Sequence, residues 1–381
     1  MNLLKKFFIT LVIILSAIFC FYKSDNLMFT ESTVPSHWND RGIFSKHYEM
    51  AYNKMQKMGL EEKIGQILLV RLPNSNVEKV IEEYKVGGFV FYEKDIKAHD
   101  KQSLSELIKN YNNKSTIPLL IAIDEEGGSV VRLSCNKNIR NTPFKSPQNI
   151  FKVEGYPGII KNTREMCELL GGIGFNVNLA PVADISTNPK DYIYKRSFGK
   201  DAKETSEFIR TVIESTNGTN LSFTIKHFPG LGSNSDTHRG IVIDKRSISE
   251  LKSKDLQPFL SGIAAGADSI MISHNVVTCL DNKHPASLSK NVINFARSYM
   301  NYTGIIMTDN VDMKAIREFT KGTGVVEAIL AGNDVVMVSD YKRCVKEIKE
   351  ALQSGKLTFE MIDYMAFKVL AWKYYKGLLN Q

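Results

Sequence analysis

The sequence has few cysteines, and none of them shows the spacing of a disulfide framework or a metal site. Five cysteines occur among 381 residues, and no CxxC pair is present. Domains that depend on disulfides are much richer in cysteine, so we expect a core of ordinary apolar residues. An HExxH helix motif and an HxH strand pair are also absent. We therefore predict no metal centre and no cofactor.

A dense basic cluster is missing as well. The formal charge is +8, but lysines and arginines are interspersed with acidic residues along the whole chain. Nucleic-acid-binding proteins concentrate positive charge on one face, so we predict no nucleic-acid partner. A hydrophobic fraction of 43% and a charged fraction of 24% indicate a folded protein and argue against disorder.

The first 24 residues differ from the rest of the chain in being mostly apolar. Lys5 and Lys6 precede an uninterrupted apolar run from Phe7 to Tyr22. A positive segment followed by such a run is typical of an export signal or a membrane anchor, and the length lies between the two. No clear cleavage site follows the run. We predict an uncleaved anchor, with the bulk of the protein outside the cytoplasm.

Beyond this segment, residues 25–50 are polar and rich in turn-forming residues, and we predict a linker there. Residues 51–381 are predicted to form one catalytic domain. Within it, eight short runs are rich in β-branched and aliphatic residues: 65–72, 86–92, 117–123, 176–185, 221–228, 266–274, 303–310 and 332–340.

Amphipathic segments of helix length fill most of the gaps between these runs. Runs with little alternation suit strands that are covered on both faces, as in a parallel sheet under helices. Eight such units predict an α/β fold, a (β/α)8 barrel of the TIM type. A doubly wound open sheet is the alternative, although no GxGxxG turn supports a dinucleotide-binding version of it.

Polar residues close six of the eight apolar runs. They are Asp124, Asp184, Lys226 with His227, His274, Asp309 and Asp340. The active site of a parallel barrel lies at the carboxyl ends of its strands, so these side chains are candidates for one site. Aspartate in this position also caps helices, and that alternative stays open for Asp184 and Asp340. A lone histidine such as His274 is more typical of a hydrogen-bonded core residue.

The segment KHFPGLGSNSDTHRG, residues 226–240, places Asp236 two residues before His238 on a loop rich in glycine. In retaining glycosidases one carboxylate attacks the anomeric carbon while a second group protonates the leaving oxygen. A histidine beside an aspartate can be that second group, because the aspartate orients the ring and stabilises its protonated form. Lys226 and His227 would be placed to hydrogen-bond sugar hydroxyls. The pattern favours glycoside chemistry over a metal site.

Several further motifs agree with this segment in order and spacing. They cover roughly residues 55–375 and read AIDEEGGSVVRL, NLAPVADI, KRSFGKD, KHFPG followed by DTH, ISHNVV and IIMTDNVDM. Together they resemble the bacterial family 3 β-N-acetylglucosaminidases, which trim N-acetylglucosamine from peptidoglycan fragments. The resemblance implies the same barrel, a carbohydrate substrate and exo-acting hydrolysis with retention.

The resemblance also implies roles for individual residues. Asp309 matches the nucleophile that forms a glycosyl-enzyme intermediate, His238 the general acid/base, and Asp236 the residue that polarises it. The implied substrate contacts are Asp124, Arg132, Arg196, Lys226 and His227.

Other readings remain open. The same fold could act as a β-glucosidase or β-xylosidase, although DTH on the barrel loop argues against this. A second alternative is an enzyme that transfers the sugar to phosphate instead of water. A third is a catalytically silent protein that only binds glycans. Leu231 stands where many members have histidine, and Asn310 where a second aspartate often follows the nucleophile. Both departures concern positioning and substrate preference. We expect a monomer.

Overall fold

Short apolar strands form the centre of the protein. Its structure is a computed structural model that describes residues 34–232 and 240–379, and its strands and α-helices belong to the unit His37–Gln381. The strands within the described residues are β1 (Leu68–Arg71), β2 (Gly88–Phe91), β3 (Leu120–Ile123), β4 (Glu125–Gly127), β5 (Val130–Val131), β6 (Val177–Asn178), β7 (Ser222–Phe228), β8 (Ile243–Asp244), β9 (Ser269–Ile272), β10 (Val276–Val277), β11 (Ile305–Thr308) and β12 (Val336–Val338).

Eight of these strands form one parallel sheet, in the order β11-β9-β7-β6-β3-β2-β1-β12. A parallel bridge between Met307 and Val335 connects the two outer strands, so the sheet is nearly closed. Each of the eight strands lies within one of the predicted apolar runs, and the prediction of an α/β fold with a parallel eight-stranded sheet is confirmed. The arrangement is consistent with a barrel of the TIM type.

Helices cover the outside of the sheet. In the described residues they are α1 (Tyr48–Gln56), α2 (Leu60–Gln66), α3 (Val77–Tyr84), α4 (Glu93–Ile96), α5 (Lys101–Lys114), α6 (Pro147–Ile173), α7 (Ala202–Ser215), α8 (Ile248–Glu250), α9 (Leu256–Ala264), α10 (Lys290–Asn294), α11 (Lys314–Phe319), α12 (Val325–Ala331), α13 (Tyr341–Gln353) and α14 (Phe359–Tyr375). Helix α7 illustrates why they form. Phe208, Ile209 and Val212 are buried on one face, whereas Lys203 and Arg210 are exposed.

Parallel pairing requires close packing of neighbouring strands. Gly88 of β2 lies opposite Leu120 of β3, and a Cβ atom at position 88 would be 2.1 Å from the Leu120 carbonyl oxygen. Glycine is therefore required at this point of the sheet. Strand ends then lead into helices: Asp340, two residues after β12, accepts a hydrogen bond from the Arg343 N–H and caps α13. The capping alternative is thus correct for Asp340.

Part of the predicted linker, residues 37–50, packs against α14. The Trp38 ring centroid lies 5.4 Å from that of Phe367, and the Tyr48 ring centroid lies 5.0 Å from it. Lys368 is fully buried and forms an ion pair of 3.0 Å with Asp40. These contacts fix the chain where it enters the barrel. The predicted anchor, residues 1–24, lies outside the described residues, and no helix within them has the length and apolar character needed to cross a membrane.

Lys373 of α14 gives a test of this packing. Its side chain is fully buried, and Nζ donates to Gln66 Oε1 (2.7 Å) and to the Gly87 carbonyl oxygen (3.0 Å). Burial lowers the pKa of Lys373 to about 7. The unfolded chain has a lysine pKa of about 10.4, so between these values the unfolded state binds more protons and stability rises with pH.

We expect wild type to gain stability relative to Lys373→Met as the pH rises from 7 to 10, by up to about 4 kcal/mol. Denaturant unfolding followed by circular dichroism measures the difference at each pH. Other titrating groups are common to both proteins and cancel. A difference that stays constant over this range would contradict the assigned pKa.

Candidate active site

A cavity of about 340 Å³ opens at the carboxyl ends of the parallel strands. Its lining includes every predicted substrate-binding residue and the predicted nucleophile: Asp124, Arg132, Arg196, Lys226, His227 and Asp309. These residues are up to 185 positions apart in sequence, and the barrel brings them to one place. Asp236 and His238 lie outside the described residues.

The sequence DEEGG after β3 builds one wall of the cavity. Asp124 and Glu126 line the cavity, whereas Glu125 is buried away from it. The Glu125 carboxylate accepts hydrogen bonds from the N–H groups of Arg132 (2.9 Å) and Leu133 (2.7 Å). Burial raises the pKa of Glu125, although these bonds oppose the increase. Glu125 thereby holds the chain that carries Arg132 to the cavity.

Lys226 and Arg196 share one carboxylate in the wall. Lys226 Nζ lies 2.6 Å from Asp124 Oδ1 and 2.7 Å from Glu126 Oε1. Arg196 forms two parallel bonds to Glu126, of 2.7 and 2.9 Å. Burial alone would raise the pKa of Glu126, but the charges of Lys226 and Arg196 outweigh burial and lower it to about 2. We call these four residues the charge network.

The structure distinguishes two readings of Asp184. Its carboxylate is fully buried and caps none of the helices given above for the described residues; instead it lies 2.6 Å from His227 Nδ1 and accepts the Leu231 N–H at 2.7 Å. The carboxylate accepts, so we assign the proton to Nδ1. His227 Nε2 lies 3.2 Å from Arg196 Nη2, in the cavity wall. Asp184 therefore sets the orientation of the His227 ring.

Asp309 follows β11, which is four strands away from β3 in the sheet order, and it lines the same cavity. Its Oδ1 atom accepts the N–H of Asn310 at 2.7 Å. Burial raises the pKa of Asp309, but the electrostatic influence of His274 and then of His227 brings it below the usual value. Asp309 is therefore ionised at neutral pH, as a nucleophile requires.

Tyr92 completes the mouth of the cavity. The guanidinium of Arg71 lies 4.7 Å from the centre of its ring, and that of Arg132 lies 6.0 Å away. Burial, with the charges of Asp124 and Asp309, raises the pKa of Tyr92 to about 12, so the phenol stays protonated. Among the described residues, the buried Nε atom of Arg132 has no hydrogen-bond partner. It is available as a donor to a ligand.

Sequence reasoning missed Glu126 and left Asp184 undecided. The only signal for Glu126 was its place in DEEGG, beside the predicted Asp124. His274 is 1% exposed and hydrogen-bonded on both ring nitrogens, as expected for a core histidine. In the described residues no group of three or more histidine, cysteine or acidic side chains is arranged to hold a metal ion.

A cavity at the mouth of a parallel barrel that presents hydrogen-bond donors, acceptors and ionised carboxylates side by side is typical of a glycoside hydrolase. The model of the family described as "Glycosyl hydrolase family 3 N terminal domain" matches residues 59–371, so this chain belongs to glycosyl hydrolase family 3. The resemblance found in the sequence is confirmed.

Proteins that are similar to this chain are named as β-hexosaminidases or β-N-acetylglucosaminidases. A β-hexosaminidase of Xylella fastidiosa is 28% identical over 303 residues, which cover 77% of this chain and 88% of that protein. The β-hexosaminidase LpqI of Mycobacterium tuberculosis is 26% identical over 328 residues, or 82% of each chain. The solved family 3 β-N-acetylglucosaminidase of Paenibacillus sp. str. FPU-7 superimposes with a TM-score of 0.77 at 28% identity, covering 84% of this chain and 63% of that one.

Glu126→Gln tests the charge network. It leaves two buried cations sharing a neutral amide, and we expect the free energy of unfolding at pH 7 to fall by about 3 kcal/mol. The folded pKa of about 2 is below the unfolded value of about 4.3. The stabilisation is therefore present above pH 4.3 and is lost as the pH falls toward 2, so the advantage of wild type should shrink between pH 5 and pH 2.

Glu125→Gln is the matched control, one residue away. Because the pKa of Glu125 is raised, the stability of wild type relative to this variant should improve as the pH falls. Urea unfolding at several pH values measures both differences. The assignment of the network is wrong if the two differences change with pH in the same sense.

Proposed function

We propose that the protein is a retaining, exo-acting β-N-acetylglucosaminidase that removes terminal β-linked N-acetylglucosamine from peptidoglycan fragments. The observation that carries the proposal is the presence of Asp309 in one cavity with all five predicted substrate-binding residues. The names of similar proteins support the choice of sugar, since the relatives are β-hexosaminidases and a β-N-acetylglucosaminidase.

The proposed reaction has two steps. Asp309 attacks the anomeric carbon, and a bond forms between its carboxylate oxygen and that carbon while the bond to the leaving oxygen breaks. The leaving oxygen takes a proton from His238. Water then attacks the anomeric carbon, gives a proton to His238 and releases the carboxylate. Asp236, two residues before His238, would stabilise the protonated ring.

The charge network is proposed to bind the sugar that is released. Sugar hydroxyls both donate and accept hydrogen bonds, and the network presents the two kinds of partner side by side. Asp124 accepts, while Lys226, Arg196 and the unpaired Nε atom of Arg132 donate. His227 presents its Nε2 atom beside Arg196. The four residues of the charge network hold one another in place before the substrate arrives, which lowers the cost of binding.

The location of the enzyme is part of the proposal. Residues 1–24 would be an export signal or an uncleaved anchor, residues 25–50 a linker, and residues 51–381 the catalytic domain. The enzyme would then act on wall fragments outside the cytoplasm, as a monomer.

Loss of the nucleophile is the first test. With a chromogenic aryl N-acetyl-β-glucosaminide, wild type should release the aryl group, and Asp309→Ala should lower kcat by roughly a thousandfold or more. Asp340→Ala is the control: this aspartate also follows a barrel strand, but it caps a helix. Its removal should cost about 1 kcal/mol of stability and leave turnover unchanged. Equal activity of wild type and Asp309→Ala would remove the nucleophile assignment.

The acid/base role of His238 predicts dependence on the leaving group. An aryl group with an acidic phenol needs little protonation when the bond breaks, whereas an alkyl or sugar leaving group needs a full proton. His238→Ala should therefore reduce kcat/KM by roughly 100-fold or more for the poor leaving groups and much less for dinitrophenol. Asp309→Ala serves as the reference, because its loss should not depend on the leaving group. The same loss for every leaving group in His238→Ala would contradict the role.

A further inference from the structure

His274 directly contacts the backbone that follows Asp309. It lies two residues after β9, and its Nε2 atom is 2.9 Å from the carbonyl oxygen of Asn310. The Nδ1 atom is 2.7 Å from Ser287 Oγ. A carbonyl oxygen only accepts, so the hydrogen-bond network assigns a proton to Nε2. His274 is 1% exposed and does not line the cavity, so it has no direct contact with a substrate there.

The bond from His274 fixes one side of the peptide group between Asn310 and Val311. The other side is fixed from β12, because the Val311 N–H donates to the Met337 carbonyl oxygen at 3.0 Å. The Asn310 side chain adds a bond of 2.9 Å to Ser339 Oγ. The residue after Asp309 is thus held between the two strands that flank β11.

This arrangement reaches the Asp309 carboxylate through one further bond. The Asn310 N–H donates to Asp309 Oδ1 at 2.7 Å, and it belongs to the same residue whose carbonyl oxygen His274 contacts. The Asp309 N–H is itself fixed to the Ile272 carbonyl oxygen of β9 at 3.0 Å. Burial raises the pKa of Asp309. Among the effects that lower this pKa, the electrostatic influence of His274 is the largest.

We propose that His274 is a positioning residue for the glycosylation step. It holds Asn310 so that one oxygen of Asp309 stays on the backbone N–H and the other is directed at the anomeric carbon. A displacement of about 1 Å at a reacting atom can cost roughly 100-fold in rate, so a hydrogen bond to the residue that follows Asp309 can affect kcat. This inference rests on the proposed function, since it assumes that Asp309 is the nucleophile.

Substitution of His274 by glutamine or by asparagine distinguishes a positioning role from a packing role, because the two side-chain amides differ in length. In His274→Gln the terminal amide N–H reaches about as far as Nε2 and can donate to the Asn310 carbonyl oxygen. In His274→Asn the amide ends near the position of Nδ1 and cannot reach it. We expect kcat for an aryl N-acetyl-β-glucosaminide to stay within about threefold of wild type in the Gln variant and to fall tenfold or more in the Asn variant.

Binding of free N-acetylglucosamine provides the second measurement. Its inhibition constant should be the same in wild type and both variants, because the sugar-binding residues belong to other parts of the chain. Equal kcat in the Gln and Asn variants, or a loss of kcat matched by weaker inhibition, would overturn the positioning role even if wild type is active. A wild type without turnover on this substrate would overturn the proposed function and the inference together. Melting temperatures confirm that each variant is folded at the assay temperature.

Discussion

The candidate site depends on one shared carboxylate. Glu126 binds Lys226 from the end of β7 and Arg196 from the loop after β6, each at 2.7 Å. Two cations so close together would repel each other strongly in a buried setting if the carboxylate were absent. The charges of Asp124 and Glu126 together raise the pKa of Lys226 despite burial, so Lys226 stays protonated. The segments that carry Glu126, Arg196 and Lys226 are therefore held together at the Glu126 carboxylate.

The charge network and Asp309, the proposed nucleophile, line the same cavity but differ in their surroundings. Asp124, Glu126, Lys226 and Arg196 balance one another in pairs, so none of them is a strong nucleophile. Asp309 receives a backbone N–H and the fields of nearby histidines, and among the described residues no cation lies within ion-pair distance of it. The proposed roles of binding and attack thus fall to chemically different carboxylates in one cavity of about 340 Å³.

The fold was largely predictable because a parallel sheet under helices needs strands that are apolar on both faces. All eight runs read from the sequence contain a strand of the sheet. Of the polar residues that close these runs, Asp124, Lys226, His227 and Asp309 line the cavity. Asp184 shows where this reasoning stops. An aspartate that caps a helix and one that orients a histidine both follow a strand, and only the distance of 2.6 Å to His227 separates them.

Glu126 was missed for a related reason, because its partners lie 70 and 100 residues further along the chain. Residues 37–50 are polar and turn-rich by composition, yet Trp38 packs into the aromatic cluster on α14. Local composition indicates where a chain can be exposed. It does not reveal which single side chain will be buried by a distant helix.

The charge network is better explained by function than by stability. Burying several ionised groups costs free energy of hydration, and well-packed apolar residues in place of a buried ion pair are often equally stable. An apolar wall at Asp124, Glu126, Lys226 and Arg196 would fold as well but would offer nothing to a ligand that is covered with hydroxyl groups. Alternating donors and acceptors held at fixed positions match such a ligand, because each hydroxyl can donate to one and accept from the next. The cost of burying these charges is therefore consistent with recognition of a sugar at the mouth of the barrel.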